Sequence, residues 1–414
     1  MQAVILAAGE SSRFWPLNYL HKSLIKIMGR PLIAYLIDDL RRAGIKDIII
    51  VQSPKKDIER ELKDKSLKYV IEKKAAGTGN ALLSAEKLVK EDQFFLFNAD
   101  DSDVKEAVAP ILSRFKKGKS KLILLASKTK TPWLFGILKM KGDRVLEIVE
   151  KPKPGKEPSN LKNDNLFFLP KDFFSYLKRV SSHPFSLIRA LNLYARQKPI
   201  EAIINKKETI SLKFPWHVFP ILEAKLKDLK KFRSKSVVLG KNVVILGSVF
   251  IGQGTRIGAN TVIHGPCYIG KDCQIGDGNV LRGPVNLENN IKTGALFEIK
   301  NSLVGSGTHF HSGYLGDSLV GANCRVGGGF ISANRRIDRK NIFSTVKQEK
   351  IDTSLTYFGT VIGDNTKLGV KTAIMPGVFI GSDCLIGPGS VVFENIPDNT
   401  IFYQKFKGIV KKRR

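Results

Sequence analysis

The chain has 414 residues, too many for one ordinary domain, and 43% of them are hydrophobic, as is typical of globular proteins. No apolar run approaches the roughly 20 residues that a transmembrane helix needs, and residues 1–8 lack the charged lead and the cleavage site of a signal peptide. The four cysteines show no CxxC spacing, which argues against zinc sites and disulfide frameworks and predicts a reducing, cytoplasmic location.

The formal net charge of +30 would suit a polyanionic partner. The lysines are nevertheless spread along the chain, except in a basic C-terminal tail at residues 397–414, and no RNA-binding motif accompanies them. The charge therefore favours small anionic substrates over nucleic acid, and we expect no membrane partner.

Strand-like and helix-like segments alternate through residues 1–220. Strand-length apolar runs occur at Val4–Ala8, Ile48–Gln52, Phe94–Phe97 and Leu122–Ala126, and helix-like stretches occur at Pro31–Ala43 and Asn80–Lys90. This alternation predicts a Rossmann-like α/β domain with a mainly parallel sheet. Residues 221–234 read as an amphipathic helix that links this domain to the next.

A glycine-containing turn follows the first predicted strand. Gly9 begins the turn, and Arg13 and Lys22 add positive charge after it. Backbone N–H groups in such a turn can approach phosphate oxygens closely, and nearby cations strengthen the attraction. The pattern predicts a phosphate-binding loop.

The motifs of residues 1–220, taken in order, resemble those of nucleoside-triphosphate sugar-1-phosphate nucleotidyltransferases. The segment LAAGESSRFWPL…HKSLIKIMGRPLI is similar to the family's LAAGxGTRxxPLT…KPLLPVxGKPLI. The run from Gly77 to Ala81 is similar to its GTGxA segment, and Asp100 at the end of FFLFNAD is similar to its metal-binding aspartate. The resemblance implies that a sugar 1-phosphate attacks the α-phosphorus of a nucleoside triphosphate and that pyrophosphate is released.

The same resemblance implies roles for individual residues. Arg13 and Lys22 would neutralise phosphate charge, and Asp100 would hold Mg²⁺. The implied nucleotide-binding positions are Leu6, Ala8, Gly9, Glu72, Gly77 and Thr78, and the implied sugar-side positions are Gly136, Glu150 and Asn163.

Several positions depart from the family pattern, including Ser23 in place of proline. Ser11 stands where glycine is usual, and Glu72 takes the place of a base-reading glutamine, which leaves the base open. Alignment on Pro215-Trp216 puts Ser211 where a second metal ligand is expected. A non-catalytic scaffold or regulatory subunit is therefore one alternative to an enzyme.

A six-residue repeat replaces the helix signals after residue 234. Ile or Leu occurs at every sixth position from Leu239 to Leu287, the pattern resumes from Ile362 to Val392, and glycine often follows the aliphatic residue. Each unit is a short strand plus a corner, and three units close one coil. The repeat predicts an all-β parallel β-helix over residues 235–396, left-handed by resemblance to other hexapeptide proteins, in which glycine supplies backbone freedom.

Residues 328–357 abandon the repeat. A thirty-residue excursion from a solenoid is usually functional, and this one carries five Arg or Lys residues between Arg335 and Lys347. A simple insertion on one face is the alternative.

Residues 294–327 resemble the acetyltransferase half of the bifunctional N-acetylglucosamine-1-phosphate uridylyltransferase/glucosamine-1-phosphate acetyltransferases, especially the archaeal type. The resemblance implies that His311 is the general base that takes a proton from the amine attacking acetyl-CoA. It also implies sugar-phosphate contacts from Arg282, Lys300, Tyr314, Asn334 and Lys340. Glu298 matches the family as well, whereas Arg335 replaces a tyrosine.

Two other interpretations of the β-helix remain open. It would serve only assembly or regulation if the enzyme resembles ADP-glucose or GDP-mannose enzymes. A carbonic-anhydrase-like metal site would have to use His264, His309 and His311, which lack that family's spacing. The favoured hypothesis is a Mg²⁺-dependent nucleotidyltransferase and acetyl-CoA-dependent N-acetyltransferase, with UDP-N-acetylglucosamine as leading product and a homotrimeric assembly.

Overall fold

The computed structural model describes residues 1–74, 76–101, 104–118, 120–206, 212–408 and 410. The chain divides into two compact units, of which the first comprises Met1–Ser11, Leu20–Ile25 and Pro31–Leu212. The second comprises Ser12–Tyr19, Lys26–Arg30 and Lys213–Arg414. Among the described residues, none of the helices combines the length and the hydropathy of a membrane-spanning segment.

Strands and helices alternate over much of the first 206 residues, as the apolar periodicity predicts. The strands are β1 (Gln2–Ala7), β2 (Lys26–Ile27), β3 (Arg30–Pro31), β4 (Asp47–Gln52), β5 (Lys68–Ile71), β6 (Gln93–Asn98), β7 (Leu122–Lys128), β8 (Gly136–Lys141), β9 (Arg144–Glu150), β10 (Leu161–Pro170) and β11 (Ile200–Asn205). The helices are α1 (Leu32–Arg42), α2 (Asp57–Leu62), α3 (Thr78–Ser84), α4 (Lys105–Lys117), α5 (Phe173–Lys178) and α6 (Ser186–Gln197).

One nine-stranded sheet organises the first unit, in the order β5-β4-β1-β6-β10-β7-β11-β9-β8. Strands β5, β4, β1 and β6 are parallel. Alternate residues of β1 enter two buried cores, with Val4 on one face and Ile5 on the other. Because β1 and β6 are parallel neighbours, the segments that follow them lie at the same edge of the sheet, which is where α/β sheets bind ligands.

The sheet is mixed beyond β6, which differs from the mainly parallel sheet that the alternation predicts. Strand β10 runs antiparallel to β6, β7 and β8, and β8 runs antiparallel to β9. Antiparallel neighbours need no crossover helix, so residues 136–170 add three strands without one.

Short strands dominate the second unit. Its helix is α7 (Val218–Lys227), and its strands are β12 (Phe232–Arg233), β13 (Val238–Leu239), β14 (Val244–Leu246), β15 (Val249–Ile251), β16 (Arg256–Ile257), β17 (Val262–His264), β18 (Cys267–Ile269), β19 (Gln274–Ile275), β20 (Val280–Leu287), β21 (Lys292–Thr293), β22 (Phe297–Val304), β23 (His309–Phe310), β24 (Gly313–Gly316), β25 (Leu319–Val320), β26 (Arg325–Val326), β27 (Phe330–Ser332), β28 (Phe343–Val346), β29 (Glu349–Asp352), β30 (Thr360–Ile362), β31 (Lys367–Leu368), β32 (Ala373–Ile374), β33 (Val378–Ile380), β34 (Leu385–Ile386), β35 (Val391–Val392) and β36 (Ile401–Phe402).

All of these strands except β28 and β29 form the three ladders of a left-handed parallel β-helix. Ladder A is β12-β15-β18-β20-β22-β25-β30-β33, ladder B is β14-β17-β20-β22-β24-β27-β32-β35, and ladder C is β13-β16-β19-β21-β23-β26-β31-β34-β36. Leu239 pairs with Ile257 and Ile257 with Ile275, so three hexapeptides close one coil. The repeated aliphatic residues stack in a continuous buried column, for example Ile251, Ile269 and Leu287.

The glycines after the aliphatic residues are required for steric reasons, and not for the backbone freedom that the sequence analysis predicts. Gly240, Gly252 and Gly258 do not need a left-handed backbone, but a Cβ on any of them would lie 2.5–2.6 Å from an atom of the next coil. Close stacking of coils therefore excludes a side chain at these corners, and glycine is required by contact with the next coil.

Three predicted bounds in the second unit are corrected by backbone pairing. The linking helix predicted for residues 221–234 is α7 (Val218–Lys227), because Phe232 and Arg233 pair with β15 instead. Phe330 and Ile331 still pair with β24, and Ser332 pairs with Ile374 of β32, so the excursion begins after Ser332. It contains the antiparallel hairpin β28–β29. Strand β36 pairs with β34, so coil structure extends beyond residue 396 into the predicted tail.

Candidate active sites

Lys22 is held between an acidic side chain and a backbone carbonyl in the first unit. Its Nζ donates to Oδ2 of Asp100 at 2.7 Å and to the carbonyl of Leu212 at 2.7 Å. Its backbone N–H donates to Oγ of Ser11 at 3.0 Å, which links the loop after β1 to the lysine segment. Ser11 has a φ of 54°, a left-handed conformation that explains why glycine is the usual residue there.

His21 fixes the turn that carries Lys22. Its backbone N–H donates to Asp57, and its Nδ1 accepts from the backbone N–H of Ser23 at 3.3 Å. Burial, followed by the charge of Lys22, lowers the pKa of His21 to about 4. A neutral ring is therefore the acceptor that orients this turn at physiological pH.

Asp100 follows β6 and lies at the edge of the sheet where β1 also ends. The N–H of Ala99 donates to the carbonyl of Leu6, which ties the two strand ends together. Asp100 is 5% exposed. The neighbouring Asp101 accepts the N–H of Asn98, and desolvation together with the charge of Asp100 raises the pKa of Asp101 well above its usual range.

The residues at this edge fit a magnesium ion that is bound mainly by substrate. Mg²⁺ commonly uses one or two protein carboxylates and completes its shell with phosphate oxygens and water. Asp100 offers one carboxylate with a second oxygen beyond the one that accepts from Lys22. Within the described residues no cluster of three His, Cys, Asp or Glu side chains is present. Ser211, the residue at the expected second ligand position, lies outside the described residues.

Residues predicted to contact the nucleotide lie on the same half of the sheet. Leu6 and Ala8 are buried at the end of β1, and Gly9 is exposed. Glu72 follows β5 and is buried, which raises its pKa, and its Oε1 accepts weakly from the N–H of Ala76 at 3.4 Å. A carboxyl that gains a proton more readily is able to donate a hydrogen bond to a base.

Gly77 lies immediately before α3, which begins at Thr78. Its φ is 106°, and a Cβ there would lie 2.7 Å from Cα of Pro184. Both the backbone conformation and the close approach require glycine, and Thr78 is exposed beside it.

The predicted sugar-side residues converge at one end of β8, β9 and β10. Gly136 pairs with Glu150, and a Cβ on Gly136 would lie 2.7 Å from Oε2 of Glu150. Lys162 pairs with Ile137 and brings the next residue, Asn163, to the same strand end. Asn163 is buried and exchanges hydrogen bonds with Asn165 at a bulge in β10.

Arg13 is exposed on a short 3₁₀ turn, Ser12–Phe14, which the contact pattern assigns to the second unit. Lys22 belongs to the first unit. The predicted joint action of Arg13 and Lys22 on the phosphates stays a prediction.

Ladder B brings together the residues predicted to contact the sugar phosphate in the second unit. Arg282 pairs with Lys300 on the next coil, and Glu298 pairs with Tyr314 on the coil after that. Arg282 also forms an ion pair with Glu298. Residues that are far apart in sequence therefore form one surface because each coil repeats the register of the last.

Asp317 is the hub of this surface and was not predicted from the sequence. Its carboxylate accepts from Nζ of Lys300 at 3.0 Å, from Nδ2 of Asn334 at 2.5 Å and from Nδ2 of Asn301 at 2.7 Å. Asn334 also donates to the hydroxyl of Tyr314 at 3.0 Å, and burial followed by the charge of Asp317 raises the pKa of Tyr314. The Gly316-Asp317 pair is a sequence signal for a turn, and Asp317 has a left-handed φ of 47° in it.

His311 lies at the corner between β23 of ladder C and β24 of ladder B. It is exposed, its N–H donates to the carbonyl of Val326, and its ring lies beside Gly328, where a Cβ would approach Nδ1 to 3.3 Å. An open cavity of about 540 Å³ runs along ladder C beside it. Its lining combines polar residues with apolar ones: His309, His311, Arg325, Lys367, Phe310, Val326, Leu368, Leu385 and Ile386. An imidazole at the rim of an open groove is a group of the kind that accepts a proton from a substrate amine.

His309 shares that cavity but differs from His311 in its surroundings. It pairs with Lys292 on one side and Arg325 on the other. Partial burial and these two cations lower the pKa of His309. His264 lies on ladder B, so the three histidines do not form the metal site considered above, and no three-ligand cluster occurs among the described residues.

Lys340 has no described contact with the residues of the hub. Lys340 is exposed, and its backbone N–H donates to Asp338. The predicted contact of Lys340 with the sugar phosphate stays a prediction.

Comparison with known proteins identifies both units. Residues 2–208 match the family model for nucleotidyl transferases, and residues 248–283 and 359–394 match the model for bacterial transferase hexapeptides (six repeats). The chain is 36% identical over 423 residues to the bifunctional protein GlmU of Methanococcus maripaludis strain C7, with 100% of each chain covered. It is 32% identical over 408 residues to a bifunctional sugar-1-phosphate nucleotidylyltransferase/acetyltransferase of Sulfurisphaera tokodaii, with 96% of this chain and 98% of that one covered.

Proposed function

The chain belongs to the family of bifunctional sugar-1-phosphate nucleotidylyltransferase/acetyltransferases, and we propose that it uses both activities in succession. The β-helix acetylates an amino-sugar 1-phosphate with acetyl-CoA, and the N-terminal unit then joins the product to a nucleotide. UDP-N-acetylglucosamine is the leading product. The observation that carries the proposal is the Lys22–Asp100 pair, formed by two motif residues 78 positions apart at the binding edge of the sheet.

In nucleotidyl transfer, an oxygen of the sugar 1-phosphate forms a bond to the α-phosphorus while the bond from that phosphorus to pyrophosphate breaks. Lys22 binds the α-phosphate oxygens and Arg13 the departing pyrophosphate, since positioning and charge neutralisation carry most of this chemistry. Mg²⁺ held by Asp100 supplies further charge neutralisation when it is bound. Gly136, Glu150 and Asn163 orient the sugar, and Glu72 with Gly77 and Thr78 holds the nucleoside.

In acetyl transfer, the amine nitrogen attacks the thioester carbonyl, His311 accepts the proton from nitrogen, and the carbon–sulfur bond breaks to release CoA. Tyr314 and Asn334 contact the sugar, and Arg282, Lys300 and Lys340 bind its phosphate. The proposal is supported by the convergence of Lys300, Tyr314 and Asn334 on Asp317. We further propose a homotrimer with acetyl-CoA bound between neighbouring β-helices, in the cytoplasm, where four free, buried cysteines would stay reduced.

A matrix of substrates tests both activities. Four nucleoside triphosphates are crossed with several sugar 1-phosphates, with and without acetyl-CoA, and release of pyrophosphate and of CoA is measured. We expect Mg²⁺-dependent pyrophosphate release with UTP and N-acetylglucosamine 1-phosphate, and CoA release with glucosamine 1-phosphate. Pyrophosphate without CoA would leave the β-helix an assembly module, and the absence of both products would favour a non-catalytic scaffold.

A further inference from the structure

The ring of Tyr357 interacts with two cations at the edge of the Asp317 hub. Nζ of Lys300 lies 4.5 Å from the ring centroid, and Cζ of Arg335 lies 4.7 Å from it. Cations at this distance are attracted by the electrons of the aromatic ring. Tyr357 is 41% exposed, so the two cations are held at a surface that a ligand can reach.

The position of Tyr357 is fixed by the residue that follows it. The N–H of Phe358 donates to the carbonyl of Asn334 at 2.9 Å. Phe358 is fully buried and packs edge-on against Trp216, Phe219 and Phe379. The end of the excursion is thereby joined to its start, which places the tyrosine ring beside Arg335.

Arg335 differs from the neighbouring cations because no described carboxylate forms an ion pair with it. Arg282 pairs with Glu298, Lys300 with Asp317, and the adjacent Arg336 with Asp338. Among the described residues no carboxylate pairs with Arg335, and its Nε is buried without a hydrogen-bond partner. A buried donor that lacks a partner costs free energy, so a ligand that accepts from it is favoured.

We propose that Arg335, held over the ring of Tyr357 and acting with Lys300, binds the phosphate of the amino-sugar 1-phosphate, an inference that rests on the acetyl transfer proposed above. A guanidinium presents planar, paired donors that match two phosphate oxygens, and the contact with the ring restricts its movement. Asn334, the preceding residue, donates to Tyr314, so a sugar on Tyr314 would carry its phosphate toward Arg335. The site therefore selects a phosphorylated amino sugar over the free amino sugar.

Arg335→Met removes the charge and the donors, and Arg336→Met is the matched control because Arg336 is already paired with Asp338. We expect Arg335→Met to raise the KM for glucosamine 1-phosphate about tenfold or more while kcat changes only a few-fold. Arg335→Lys restores little of this loss, since an ammonium lacks the planar donors. We expect free glucosamine to be a poor substrate for the wild type, and we expect Arg335→Met to acetylate it no more slowly than the wild type does, because free glucosamine carries no phosphate.

The ring is tested by Tyr357→Leu against Tyr357→Phe. The leucine variant raises KM several-fold because the guanidinium loses its contact with the ring, and the phenylalanine variant stays close to wild type. Thermal unfolding of each variant checks that the fold is kept. An Arg335→Met variant with the KM of Arg336→Met would overturn the proposal.

Calorimetric titration with glucosamine 1-phosphate separates this proposal from acetyl transfer itself. If the wild type releases no CoA, the proposed acetyl transfer fails, yet the titration still decides the role of Arg335. Binding that is at least tenfold weaker in Arg335→Met than in Arg336→Met supports a phosphate site. Equal affinities in the two variants, or no binding by the wild type, contradict it.

Discussion

The Nζ of Lys22 lies 2.7 Å from Oδ2 of Asp100, at the edge of the sheet where β1 and β6 both end. The pair joins a cation predicted to bind phosphate to a carboxylate predicted to bind metal. The side chain of Lys22 is 21% exposed and that of Asp100 is 7% exposed. Solvent therefore screens their interaction only partly.

Asp100→Asn is expected to reduce Mg²⁺-dependent pyrophosphate release by two or more orders of magnitude, because an amide neither balances Lys22 nor binds Mg²⁺ well. Asp92→Asn is the matched control, since Asp92 is exposed just before β6. Initial rates are measured across a Mg²⁺ titration. Equal rates in the two variants would remove Asp100 from the metal site.

His21 should make the stability of the first unit depend on pH. Its pKa is lowered to about 4 in the folded chain against about 6.5 when unfolded, so the unfolded chain binds the extra proton between these values. The free energy of unfolding is therefore highest above pH 6.5 and falls as the pH decreases toward 4. The loss is about 3 kcal/mol for a pKa shift of this size. Urea unfolding between pH 4 and 8 measures the slope.

His21→Asn keeps an acceptor for the N–H of Ser23 but does not titrate. The difference between wild type and this variant isolates the histidine from the carboxyl groups that titrate in the same range. A variant that loses stability as steeply as the wild type would show that His21 is not the group responsible.

His311→Ala is expected to lower kcat for CoA release by about 10²- to 10⁴-fold, the usual contribution of a general base. His309→Ala is the control, because it lines the same cavity but is flanked by Lys292 and Arg325. His309→Ala should change kcat only a few-fold, and pyrophosphate release should be unchanged in both variants. Equal CoA release from wild type and His311→Ala would rule out this base.

Gly252→Ala should destabilise the β-helix by about 2 kcal/mol or more, because its Cβ would lie 2.6 Å from the backbone of Gly270. Gly408→Ala is the control, since no atom lies within 4 Å of a Cβ there. Differential scanning calorimetry compares the two. A Gly252→Ala protein as stable as Gly408→Ala would contradict the steric explanation for the repeated glycine.

Light scattering at micromolar concentration should give three times the mass of the 46.0 kDa chain. Ladder C exposes Val238, Leu385 and Ile401 at 43–69%, and a flat sheet face with apolar residues favours a cyclic assembly with copies of itself. A monomeric mass would contradict the trimer and the acetyl-CoA site proposed between neighbouring chains.

The six-residue repeat was sufficient to predict the β-helix from the sequence alone. Aliphatic residues at every sixth position are all buried together when each hexapeptide forms one side of a coil. Ile251, Ile269 and Leu287 therefore lie in one buried column, as the repeat predicts. Motif order in residues 1–220 likewise identified Lys22 and Asp100 as members of one site. Both inferences depend on local periodicity or on short motifs, which a linear sequence carries directly.

Only the tertiary structure shows which of these residues are in contact. It also explains why some departures from the family pattern are tolerated. Ser11 in place of glycine is explained by its bond to Lys22, and the hub at Asp317 exists because coils repeat their register. Tyr357 reaches Arg335 only because Phe358 bonds to Asn334 after an excursion that carries no repeat. Such contacts join segments far apart in sequence, and their geometry is set by packing of the whole unit, which no local pattern of residues encodes.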